Sequence, residues 1–162
     1  MSTMIMFHVP DDKELLAAFG EMALRHEHLN YILRMTIKTL AQLTPQEALD
    51  ATVNDGSRQL RERVRKLARQ RLGEGEPLLK LQALMRGCQR VTDKRNELVH
   101  SVWAKELDGE AQLRNAVHIG RPLPTRQELS DLSSEILDLT NTLNQARLDG
   151  FLSEALTERA KL

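Results

Sequence analysis

Apolar side chains recur at alternating steps of three and four through Leu15, Phe19, Met22, His26, Leu29, Leu33, Ile37 and Leu40. That spacing marks one buried stripe on a long helix. Asp11 with Glu14 reads as its capping box. "LTPQEAL" predicts a break and a restart, with Thr44 as N-cap, Pro45 at the first position and Glu47 at the third. "NDGS" at 54–57 is a turn. "SRQLRERVRKLARQRL" follows, with Leu60, Val64, Leu67 and Ala68 on one face. After "GEGEP" the periodicity predicts a long helix near 77–101, with a stripe of Leu81, Leu84, Met85, Cys88, Val91, Leu98, Val99 and Val102. An Asp108-Gly109 turn places a β-hairpin at 102–119. "GRPLP" reads as a linker. Thr125 and Glu128 cap a further helix carrying Leu129, Leu132, Ile136, Leu139 and Leu143. Asp149-Gly150 ends it, and a short tail helix occupies 150–162. The expected fold is all-α: one domain over 1–162, an antiparallel bundle of four main helices with a small hairpin insertion before the last long helix.

Composition narrows the setting. The chain has 162 residues, 41% hydrophobic and 28% charged, with zero formal net charge. It is long enough to bury a core, and any basic surface is local. Aromatics at 3% disfavour stacking platforms for single-stranded nucleic acid. The lone Cys88 excludes a disulfide framework and a cysteine-rich zinc site. The start "MSTMIMFHVPDD" has no basic n-region, and no run approaches the ~20 apolar residues of a membrane span. The expectation is a cytoplasmic protein with no membrane association.

The chemistry concentrates in "KRNELVHSVW", residues 94–103. Arg95 falls inside the apolar stripe, four after Val91 and three before Leu98. A guanidinium there needs a partner or a solvated pocket. Asp93, Asn96, His100 and Trp103 are spaced by three, four and three, which predicts a second stripe on the same helix. His100 would lie about 140° around the axis from Arg95, at about 100° per residue. Trp103, the only tryptophan, needs a cover: the hairpin or a second protomer.

"RNELVHSVW", late in a long helix of a small bundle, resembles the motif of HEPN domains, an arginine and a histidine spaced by four to six residues. Asn96 matches the polar residue common after the arginine. The resemblance covers most of the chain and implies a homodimeric, metal-independent endoribonuclease that needs no cofactor. Two motifs would form one composite cleft. It implies His100 as general base or acid, Arg95 stabilising charge on the phosphate, and Asn96 orienting the histidine or binding phosphate. Attack by the ribose 2′-hydroxyl would leave a 2′,3′-cyclic phosphate. It also implies a setting in defence or toxin–antitoxin systems, with RNA as substrate and an antitoxin or other system partner. A toxin branch of the family has tyrosine two residues after the histidine, where this chain has Val102. Other HEPN domains are catalytically idle bundles for RNA binding or protein assembly, and this is the alternative reading. "RNAVH" at 114–118 is one residue too short for the motif.

Outside the motif, Arg58, Arg61, Arg63, Arg65, Lys66, Arg69 and Arg71 crowd one helix against a single acid, Glu62. Such a helix either contacts RNA phosphates, chiefly through Arg58, Arg61, Arg65, Lys66 and Arg69, or is a solvated face. Glu27 or Glu21 on the first helix would line the cleft or pair with Arg95. His26 fits the apolar stripe as a hydrogen-bonded core residue. His26 and His28, two apart, do not share a helix face, so no metal site is expected.

Overall fold

A computed structural model describes residues 4–115 and 120–162, together with the backbone but not the side chain of Ile119. His118, and with it the end of "RNAVH" and part of the expected hairpin insertion, lies outside the described residues.

The first long helix, α1, runs Lys13–Ala41 and buries Leu15, Met22, His26, Leu29, Leu33, Ile37 and Leu40, with Phe19 packed half-buried among them. Its cap differs from expectation by one residue. Asp12, not Asp11, accepts from the Leu15 N–H at 3.1 Å. Glu14 does not reach back to complete a box. It meets Arg126, which also donates to Asp12 at 2.9 Å. The Leu15 N–H, and then the Arg126 guanidinium, hold the Asp12 carboxyl below its ordinary pKa. The short α2 (Pro45–Ala51) has the expected reciprocal box between Thr44 and Glu47.

The basic α3 (Ser57–Leu72) buries Leu60, Val64 and Ala68, while Leu67 is half-buried. It stops at Gly73, where φ is +65° and the Arg159 guanidinium lies 2.8 Å from the position of an added Cβ. The second long helix, α4, spans Glu76–His100. Then α5 (Arg126–Leu148) starts at Thr125, whose hydroxyl accepts from the Glu128 N–H at 3.0 Å. Its Leu129, Leu132, Ile136 and Leu143 are buried. Finally α6 (Phe151–Arg159) seats Leu152 in the core, and its Arg159 donates to the Leu72 carbonyl at 2.6 Å. α1 packs along α5 and α3, and α4 fills the gap between those two. Leu, Ile, Val and Met side chains from all of these except α2 form one core.

The all-α expectation needs correction. The molecule is mostly helical, but it carries a four-stranded antiparallel sheet rather than a lone hairpin. β2 (Val102–Glu106) and β3 (Ala111–Arg114) form the expected hairpin. β1 (Ile5–Phe7) pairs with β2, Ile5 opposite Glu106 and Phe7 opposite Ala104. β4 (Ile119–Pro122) pairs with β3 and takes up part of the expected "GRPLP" linker. Gly120 fits there because its φ is +88°, a region that disfavours side chains. Arg121 ties the sheet to the bundle, pairing with Glu97 of α4 at 3.4 Å and with Glu128 of α5. Among the described residues no helix is long and apolar enough to cross a membrane.

Candidate functional site

A cavity of about 800 Å³ opens where α1, α3 and α4 converge. α1 contributes Glu27, Asn30 and Arg34. The start of α3 contributes Ser57, Arg58, Arg61 and Arg65, and α4 contributes Gln89, Asp93, Arg95 and Asn96. Arg95 from the first expected stripe and Asp93 and Asn96 from the second therefore share one cavity. Arg95 reaches the cavity instead of the core, half-buried, with Nη1 donating to the Asn96 Oδ1 at 3.0 Å and a buried Nε that has no hydrogen-bond partner among the described residues.

The predicted second stripe does not survive to its end. α4 stops at His100, and Ser101 turns the chain into the extended backbone of β2. His100 stands exposed on the last turn, outside the cavity. Trp103 lies on β2 and packs edge-on against Phe19 of α1, with ring centroids 5.4 Å apart. Its indole N–H donates to the Leu98 carbonyl at 3.1 Å. The tryptophan is thus covered by its own chain and does not line this cavity. Val102 is exposed on the sheet, not part of the core stripe.

The basic run divides by helical face. Arg58, Arg61 and Arg65 line the cavity, while Lys66 and Arg69 are exposed and lie outside it. Arg58 pairs with Glu62 at 3.0 Å, and Arg65 donates to Gln89 at 3.3 Å. Arg61 is only 5% exposed, and among the described residues neither its Nε nor its Nη1 has a hydrogen-bond partner. Burial and the neighbouring Arg65 charge lower its pKa, with Asp93 acting in the opposite direction. A guanidinium nevertheless stays protonated at any ordinary pH. Of the two glutamates weighed for this place, Glu27 lines the cavity. Glu21 pairs with Arg25 at 2.6 Å, outside it.

Beneath the cavity, His26 is fully enclosed, as the apolar stripe implied, and its Nε2 lies 3.0 Å from the Thr92 hydroxyl. Thr92 already donates its proton to the Cys88 carbonyl at 2.7 Å. The histidine must therefore donate from Nε2, which leaves Nδ1 an acceptor without a partner among the described residues. Burial, then the charges of Arg95 and Arg61, push its pKa down to about 4. His26 is neutral and structural at physiological pH.

Sequence reasoning missed Asn30, Ser57 and Arg34. Ser57 donates to the Asn30 Oδ1 at 2.8 Å, and Arg34 donates to the Asp55 carbonyl at 3.1 Å. One signal was available: Asn30 sits four residues after His26, a second polar residue on a largely apolar face. Its partner on α3 is not readable from local spacing. Among the described residues no cluster of His, Cys, Asp or Glu is placed to hold a metal ion. Comparisons with family models, with curated proteins and with solved structures find no match to this chain.

Proposed function

We propose that the chain is a metal-independent, HEPN-type endoribonuclease acting as a homodimer. The observation that carries this reading is the pairing of Arg95 with Asn96 at the rim of an arginine-rich cavity, with His100 exposed one turn further along the same helix. Residues four apart share a helix face, so a strand of RNA held against Arg95 and Asn96 extends toward His100. His100 accepts the proton of a ribose 2′-hydroxyl as that oxygen attacks the adjacent phosphorus. The bond to the 5′-oxygen breaks, and the products are a 2′,3′-cyclic phosphate and a 5′-hydroxyl end. The leaving oxygen takes its proton from a second acid, the same histidine of a second copy. Arg95 stabilises the charge that gathers on the phosphate oxygens, and Asn96 fixes its guanidinium. Arg58, Arg65 and Glu27 border the bound strand. The setting, a cytoplasmic defence or toxin–antitoxin system with its own partner protein, follows from the motif's resemblance.

A second reading, a catalytically idle HEPN bundle that binds RNA or assembles with proteins, is favoured by one observation: His100 stands outside the cavity. One experiment separates them. In the presence of chelator the wild type is expected to cleave RNA, and His100→Ala to lower the rate by roughly 10²–10⁴-fold, the usual contribution of a positioned acid or base. Because His100 is exposed, the variant keeps the wild-type melting temperature. Cleavage by wild type no faster than by His100→Ala, across varied RNAs, would leave the idle-bundle reading.

A further inference from the structure

The cavity holds a buried guanidinium, Arg61, that among the described residues is left short of hydrogen-bond acceptors, and that is unfavourable for the free protein. Arg61 is only 5% exposed, yet among the described residues its Nε and Nη1 have no acceptors, and Arg95 adds a second buried Nε in the same state. Arg58 is matched by Glu62, and Asp55 by Arg63. Set those pairs aside, and among the described lining residues Arg34, Arg61, Arg65 and Arg95 remain, opposed by Glu27 and Asp93. The first turn of the 16-residue α3 also faces this space: Gly56, its N-cap, offers no side-chain cap, and Ser57 lines the wall. Uncapped N–H groups at a helix start favour an anion.

From this we infer that the cavity is a binding site for a terminal phosphoryl group, a phosphate monoester at the end of a nucleotide-sized ligand, with Arg61 as its anchor. Three features select that chemistry. Guanidiniums approach from α1, α3 and α4 at once, which exceeds what the two oxygens of one carboxylate accept and suits the three free oxygens of a monoester. Arg61 lies deep, so only a group at the end of a ligand reaches it, whereas an internal phosphodiester must leave in two directions. The cavity volume of about 800 Å³ falls in the range of small-molecule sites. The phosphoryl group comes either from a free nucleotide or from the 5′-end of an RNA. Neither source depends on cleavage at His100.

The test uses the intact protein in isothermal titration and thermal-shift measurements at fixed ionic strength. The probes are adenosine 5′-monophosphate, adenosine, acetate, and one short RNA bearing either a 5′-phosphate or a 5′-hydroxyl. The phosphorylated probes are expected to bind and to raise the melting temperature, and their unphosphorylated counterparts and acetate are expected not to. Binding of the monophosphate identifies a free nucleotide as sufficient. Binding of the 5′-phosphorylated RNA alone identifies an RNA end. Arg61→Met removes the buried charge while keeping much of the volume. It should raise the melting temperature of the free protein and weaken phosphate binding by about 10- to 100-fold, the loss of a charged hydrogen-bonding partner. Arg61→Lys, which keeps the charge but loses the fork, should lose affinity without that gain. Equal binding of adenosine and its monophosphate, no binding of any phosphorylated probe, or undiminished binding in both Arg61 variants each overturns the proposal. Running the titration on His100→Ala keeps the two readings apart, since phosphate binding that survives there stands whether or not the wild type cleaves RNA.

Discussion

His26 takes up protons differently in the folded and unfolded chain. Unfolded, it protonates near its ordinary 6.5; folded, only near pH 4, because the core excludes water and Arg95 and Arg61 stand close. A depressed folded pKa means that its contribution is complete above pH 6.5 and is lost as pH falls toward 4. The difference corresponds to about 3 kcal/mol at most. Denaturant midpoints measured from pH 7 to pH 4 should therefore fall more steeply for wild type than for His26→Leu. Parallel slopes would remove this account of the residue. At this scale the sequence was informative where one residue broke a pattern. Arg95 interrupted an apolar stripe, and His26 sat within one. Arg61 gave no such warning: among so many basic neighbours, only the packing of α1 against α3 distinguishes it from Lys66 or Arg69.

Helix ends were the most legible elements because caps are local chemistry. Thr44 and Thr125 each accept from the backbone three residues on, as their spacing required. Thr44→Ala and Thr125→Ala are each expected to cost about 1 kcal/mol, measured by urea unfolding. A loss below a few tenths in both would show that these ends are held by packing alone. The strands were half legible. Asp108-Gly109 marked the β2–β3 hairpin, but β1 has three residues and pairs with a strand almost a hundred positions later. No local pattern reports such a pairing. β4 was hidden by Gly120 and Pro122, which read as linker residues. The end of α4 fell within one residue of the expected 77–101, but the stripes drawn through Val102 and Trp103 ran too far: both continue a helical spacing, yet the chain turns at Ser101 to supply the sheet.

For the molecule as a whole, Cys88 reports on the integrity of the core. It is fully buried, and its thiol is pushed up to about 12 by that burial. The thiolate is the reactive form. Ellman's reagent at neutral pH should therefore label the native protein only as fast as the bundle opens, with full labelling in denaturant. Rapid labelling without denaturant would show that α4 moves away from the core on its own. The arrangement also has a consequence in time. α1 is made early, yet its principal neighbour along the bundle is α5, which begins at Arg126. At about 5 to 20 residues per second of synthesis, the apolar stripe from Leu15 to Leu40 waits several seconds for that neighbour to emerge. During that interval the growing chain displays a long greasy helix face that the finished protein never shows, and this is when it most needs a chaperone.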